Sequence, residues 1–213
     1  GADIKVLIGD LSEPQCPAKL VDDALKAFGG LDAVVSNAGI TSPAPLIDLP
    51  VSKWDKLLNV NARATLLLAQ AAYPALKESK GALVAVASMS GMGAHPGMGA
   101  YSPSKAALIS LCQVLAQEWA CDGINVNTVS PGMIRTPLTQ KVYENNQIAK
   151  ERAALVPWGR VGNPEDISNV ISFLLSPEAN YITGQNILVD GGFVDSLYRH
   201  IPGLPDSSEI DKT

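Results

Sequence analysis

Charge and cysteine are both scarce in this sequence, and long apolar runs are missing from it. Each shortage closes off a class of function. Charged residues make up 17% of the 213 positions, and no block of like charge resembles a disordered tail. The formal net charge of −5 argues against a nucleic-acid surface, because phosphate binding calls for clustered Lys and Arg. Cys16, Cys112 and Cys121 are odd in number and lack metal-type spacing, so neither a disulfide scaffold nor a metal site is expected. They read as buried thiols of a protein in the reducing cytoplasm. No apolar run reaches the roughly 18 residues that span a bilayer, and the opening "GADIKVLIGD" has an acid where a signal peptide carries its basic region.

What is present is apolar sequence in a repeating order. Hydrophobic residues account for 46% of the chain, enough for one full core. "IKVLIGD" (4–10) reads as a buried strand and "CPAKLVDDALKAFGG" (16–30) as a helix closed by glycines. "LDAVVSNAG" (31–39) is a second strand. A long helical stretch over 52–79 follows, with Pro74 as its expected kink or break. A strand over 82–88, a Gly-rich loop, a helix over 102–121 and a strand over 124–130 come next. Helices near 140–154 and 164–176 precede a last strand, 186–190. Asn163-Pro164-Glu165 supplies a cap, a first-turn proline and an early acid. Strands separated by helices of this length predict an α/β fold, a doubly wound, Rossmann-like parallel sheet in one domain. The polar, proline-broken tail after 193 is expected to stand outside it as an extension over 194–213.

A doubly wound nucleotide binder opens with a strand, a Gly-rich turn and a helix. Nothing before Ile4 supplies them. The sequence therefore reads as a fold entered in its middle, with about one βαβ unit, at least roughly 30 residues, expected ahead of it.

The loop "SMSGMGAHPGMGAYSPSK" (88–105) carries the sharpest chemistry. Its Gly91-x-Gly93-x-x-x-Gly97 run is too far from the helix for a phosphate cradle, and Pro96 removes a donor, so it reads as a pocket wall. Tyr101 and Lys105, four apart, share a helical face, with Ser102 or Ser104 as the expected cap. An ammonium about 4 Å from a phenol, at an effective dielectric near 20, contributes roughly 4 kcal/mol. That is about three pKa units, enough to bring a tyrosine from about 10 toward 7 and make it a proton carrier. Ser88 ends one strand, "SNAG" the neighbouring one and "SPGMIRT" the next, so all three converge on the carboxyl edge where such sheets bind ligands. Asn61, a polar residue inside an apolar helix, requires a partner or a water.

Together these residues resemble the classical short-chain dehydrogenase/reductases. The likeness runs from about Ile4 to Phe193, through "GD-L" (9–11), "SNAG" (36–39), "NVNA" (59–62), Ser88 and "YSPSK". It continues in "PGMIRT" (131–136), "GRVGNPEDIS" (159–168) and "ITGQNILVDGG" (182–192). The resemblance implies an NAD- or NADP-dependent oxidoreductase acting on a secondary alcohol or ketone. It implies Tyr101 as general acid/base, Lys105 as its tuner and a ribose ligand, Ser88 as holder of the substrate oxygen and Asn61 as anchor of a relay water. Cofactor contacts carry over to Asp10, Leu11, Asn37, Ala38, Gly39, Pro131, Gly132, Ile134 and Thr136, the last of which is equally readable as a helix cap. The family's Gly-rich turn is not in this sequence, and with it goes the residue that separates NAD from NADP.

Ser90, His95, Met133 and the segment 138–158 are expected to line the substrate pocket, with His95 as wall rather than base. Helices near 55–72 and 102–121, apolar on more than one face, predict a homodimer built into a homotetramer. An extended-type epimerase or dehydratase would need more chain after Gly192. A non-catalytic nucleotide binder would have no use for the Asn61, Ser88, Tyr101 and Lys105 set.

Overall fold

The structure, a computed structural model, describes residues 2–202. A parallel sheet of four strands forms its centre: β1 (Ala33–Ser36), β2 (Ala82–Val86), β3 (Asn125–Pro131) and β4 (Asn186–Val189), side by side in that order. The strands are joined by helices α1 (Cys16–Phe28), α2 (Val51–Leu58), α3 (Ala64–Ser79), α4 (Tyr101–Trp119), α5 (Gln140–Tyr143), α6 (Asn146–Leu155) and α7 (Pro164–Leu174).

Alternating side chains of the strands feed two cores, as a period of two requires. Val34, Leu83, Ala85 and Val126 pack with Val21 of α1, Ala69, Ala72 and Leu76 of α3, and Leu108, Cys112 and Leu115 of α4. Val84 and Val129 turn the other way, onto Ile167 and Leu174 of α7. Both faces are thus covered by helices, and the expected α/β architecture is the observed one. Gly29, at φ 79°, closes α1 in the left-handed conformation that glycine adopts freely.

Two expectations fail and a third holds at most in part. No strand forms over 4–10: Ile4, Val6 and Ile8 are 84%, 79% and 97% exposed, and the sheet ends at β1. An apolar segment becomes a strand only where an adjacent edge pairs its backbone groups, and no described neighbour does. Of the kink or break expected at Pro74, the break does not occur. The proline lies inside α3, and both it and Gln70, whose carbonyl loses its partner, face solvent. The interruption comes earlier, as a π-helical turn over Asn59–Arg63 between α2 and α3. Finally, neither Ser102 nor Ser104 caps α4. Ala100 holds that position without a side-chain bond, and Ser104 is fully buried inside the first turn. Asn163 does cap α7, in a capping box closed by Asp166. Of the tail, Leu197–His200 forms a single 3-10 turn, and residues 203–213 lie outside the described residues.

Candidate active site

The carboxyl ends of β1, β2 and β3 open on one cleft of about 670 Å³, closed below by the first turn of α4. Ser88, Tyr101 and Lys105 all line it, with Asn37, Gly39, Pro131, Gly132, Ile134 and Thr136. Parallel strands and right-handed crossovers bring these loops to one edge, so residues nearly a hundred positions apart become neighbours.

Lys105 is 3% exposed and donates from Nζ to the carbonyl of Val86 at 2.7 Å. No carboxylate pairs with it among the described residues, and burial brings its pKa down to about 8. Tyr101 follows the opposite course: burial raises its pKa above the usual phenol value, and only a hydrogen bond with Ser88 opposes this. Burial thus works against the expected acidification of the phenol. Nζ is held by the strand end, 6.0 Å from the ring centroid. At the cleft's working edge, the Ser88 hydroxyl also accepts from the Ser90 N–H at 3.1 Å.

Asn61 lies behind the cleft in the π turn, 1% exposed. Its Oδ1 accepts from the Ile40 N–H at 2.8 Å, while Nδ2 donates to the Ile40 carbonyl at 3.0 Å and to Ser104 Oγ at 2.9 Å. Ser104 Oγ in turn donates to the carbonyl of Tyr101 at 2.7 Å. The partner demanded by a buried amide is thus protein, and it ties the loop after β1 to the turn that carries Tyr101. Gly39 is pressed into this knot, since a Cβ there would sit 3.3 Å from Lys105 Nζ and 3.5 Å from Asn61 Oδ1. Ser104 was legible only as a cap. Its real signal is a serine three residues after the tyrosine, placed to bond back along the helix.

The remaining candidates divide. Leu11, Asn37 and Ala38 line a second hollow of about 310 Å³ that shares Val35 and Asn37 with the main cleft. Asp10 lines neither. Its carboxylate accepts from the Ser12 N–H at 2.8 Å, and this turn lowers its pKa. Thr136 is no helix cap, because α5 starts at Gln140; Thr139 instead braces its loop, accepting from the Thr136 N–H at 3.0 Å and donating to the Ile134 carbonyl at 2.7 Å. Ser90, His95 and Met133 lie outside the main cleft and line an adjacent hollow of about 420 Å³, where Ser90 Oγ and His95 Nδ1 are 2.9 Å apart. Leu138, Thr139, Ser168 and Ile171 also line the cleft. Of these, Leu138 and Thr139 fall in the expected pocket segment, and Ser168 ends the motif 159–168 but was given no role there, whereas Ile171, also on α7, carried no sequence signal.

A parallel α/β sheet with Ser, Tyr and Lys at one strand-end cleft defines a nucleotide-dependent enzyme class. The chain matches the family model described as enoyl-(acyl carrier protein) reductase over residues 1–194. It is 39% identical over 178 residues to the 3-oxoacyl-[acyl-carrier-protein] reductase FabG of Thermotoga maritima, covering 83% of this chain and 71% of that protein. It is 38% identical over 182 residues to dehydrogenase/reductase SDR family member 4 of Bos taurus, covering 84% and 65%. Among solved structures, the Pseudomonas aeruginosa RhlG/NADP active-site complex aligns with a TM-score of 0.81 at 32% identity, covering 86% of this chain and 74% of that one. The chain belongs to the short-chain dehydrogenase/reductase family. It is an NAD(P)-dependent oxidoreductase.

The donor set fits that cofactor. An ammonium offers three N–H donors, and Lys105 spends one on Val86, which leaves two for hydroxyls of a ligand in the cleft. The two connected hollows give room along the sheet edge for the two halves of a dinucleotide. Among the described residues no cluster of His, Cys, Asp or Glu is arranged to hold a metal, and no helix is long and apolar enough to cross a membrane.

Proposed function

We propose that the protein interconverts a secondary alcohol and a ketone, with Tyr101 as the proton-transferring group. The chemistry a bound NAD or NADP supplies is hydride transfer at the carbon bearing the reacting oxygen. Ser88 donates a hydrogen bond to that oxygen and fixes it against the phenol. Tyr101 gives it a proton on reduction and takes one on oxidation. A phenol held above its usual pKa stays protonated at neutral pH, which is the form reduction needs. Lys105 binds ribose hydroxyls and adds positive charge beside the anion that Tyr101 becomes. Asn61, through Ser104, holds the tyrosine's turn in place, and a relay water at Asn61 would use its backbone carbonyl, since its side chain is already engaged. Asn37, Ala38, Gly39 and Leu11 take the adenosine side, Asp10 meets the adenine edge from the adjoining turn, and Pro131, Gly132, Ile134 and Thr136 take the nicotinamide side. Ser90, His95 and Met133 take the rest of the substrate.

The single observation that carries this is the convergence of Ser88, Tyr101 and Lys105 on one cleft. The test follows NAD(P)H absorbance with a panel of secondary alcohols and ketones. Turnover by the wild type and its loss in Tyr101→Phe are expected. Undiminished turnover in that variant would remove Tyr101 from the mechanism.

We further assign residues 1–193 to the catalytic domain and 194–213 to an extension. A homodimer that builds a homotetramer is supported by the outer face of α4, where Ala106, Ala107, Ser110 and Val114 face solvent. Sedimentation at micromolar concentration tests this, and a monomer would refute it. A cytoplasmic location is supported by three free cysteines, although they are not all buried as expected: Cys112 is, its thiol pushed up to about 12, whereas Cys16 is half-buried and Cys121, in the turn after α4, is exposed.

A further inference from the structure

The hollow beside the cleft holds a charge that the mechanism does not use. Met89, Met133, Leu155, Phe193 and Val194 give it apolar walls, and Arg152 of α6 joins them. Arg152 has no carboxylate partner among the described residues, and its guanidinium stacks on the ring of Tyr143 at 5.6 Å. Arg135 stacks on the same ring at 5.4 Å but lines none of the hollows described here. The hollow abuts the cleft on two sides. Ser88 and Gly132 line the cleft, while their chain neighbours Met89 and Met133 line the hollow.

We infer that Arg152 selects substrates carrying a free carboxylate at the far end of a short aliphatic chain. Accepting the alcohol–ketone reading of the cleft, the reacting oxygen lies between Ser88 and Tyr101, the carbon chain runs along Met89 and Met133, and the carboxylate meets the guanidinium. Stacking on Tyr143 restricts the fork before the ligand arrives, so less side-chain freedom is lost on binding. A planar fork matches a carboxylate with two parallel N–H···O bonds. The hollow holds one guanidinium beside the Ser90–His95 pair, and a single positive charge matches a monoanion better than a phosphate dianion.

Binding of hexanoate and of uncharged hexanamide, measured by titration calorimetry on the purified protein, tests the site without any turnover. Hexanoate is expected to bind roughly tenfold more tightly, a difference of about 1.4 kcal/mol. Arg152→Gln abolishes that preference, Arg152→Lys keeps part of it, and Arg135→Gln leaves it unchanged. Equal affinity for the two ligands in the wild type, or no binding of either, overturns the inference even if no variant folds. So does a preference that survives Arg152→Gln. If the preference holds while no ketone is reduced, the alcohol–ketone reading has failed and the carboxylate site has not.

Discussion

Around Lys105 most buried polar groups are held by other parts of the chain, with the Ser102 hydroxyl an exception, whereas around Leu11 the chain offers apolar walls and an unpaired edge. At the first end, Asn61, Ser104, Lys105 and Ser88 are all buried and each has a named partner. At the second, Leu11, Leu20, Val21 and Ala33 line an open hollow, and the apolar segment before them faces solvent. Buried polar groups must be satisfied by specific neighbours, so the first end is fixed from within. Apolar surface asks only to be covered, and this end has little to cover it.

The sharpest way to break the comparison is to leave the gripped end standing but remove its chemistry. Tyr101→Phe deletes the one hydroxyl to which we assign proton transfer, so kcat should fall by roughly a thousandfold with little change in substrate KM. Its urea midpoint should stay near that of the wild type. A large loss of stability would mean that the hydroxyl is structural.

Lys105 carries the next effect. Its pKa falls from the usual 10.5 to about 8 because burial disfavours the ammonium. The folded state therefore releases a proton that the unfolded chain keeps between pH 8 and 10.5. Stability gains with pH in that window: the full cost is present below about 8 and is relieved above about 10.5. A shift of this size corresponds to about 3 kcal/mol. The difference in unfolding free energy between wild type and Lys105→Met should drift by that order in favour of the wild type across the window. A flat difference would show that Lys105 is solvated, and the contrast between the two ends would weaken.

Asn61→Ala tests the knot itself. It strands the Ile40 N–H and carbonyl and leaves Ser104 with one bond, at a cost of about 2 kcal/mol. Denaturant unfolding reads this directly. Turnover should fall as well, since Tyr101 loses the tie that positions its turn. Asn61→Ala as stable as the wild type would show that Asn61 supports nothing.

Much of this was legible in residues, and the failures have a common cause. Alternating strands and helices led to the parallel sheet, and the strand-end motifs and the Tyr–Lys spacing to residues that line one cleft, because periodicity and turn chemistry are local. The electrostatics of Tyr101 were not legible. Spacing puts Lys105 on the same face, but only the tertiary structure shows its ammonium drawn to the Val86 carbonyl. Asn61 was recognisable as a buried amide in want of a partner, whereas the π turn that presents it and the serine that receives it depend on helix against helix. Ser90, His95 and Met133 do share one hollow, but it is the neighbour of the cleft that Ser88, Tyr101 and Lys105 line. Which side of a loop faces which cavity is not written in its composition.

The smallest effect is expected at the loose end. Ile8 has the composition of a core strand residue but is 97% exposed. Ile8→Ser removes apolar surface that water already covers, so stability should change by less than about 0.5 kcal/mol. The same substitution inside the paired sheet, at a residue such as Leu83, would cost several times as much, because burial would be lost and a hydroxyl left without a partner. Chemical denaturation of the two variants side by side measures the contrast. If Ile8→Ser costs more than about 1 kcal/mol, the segment is packed as a strand in solution. In that case β1 is not the sheet's true edge, and the two ends of the cleft are equally well built.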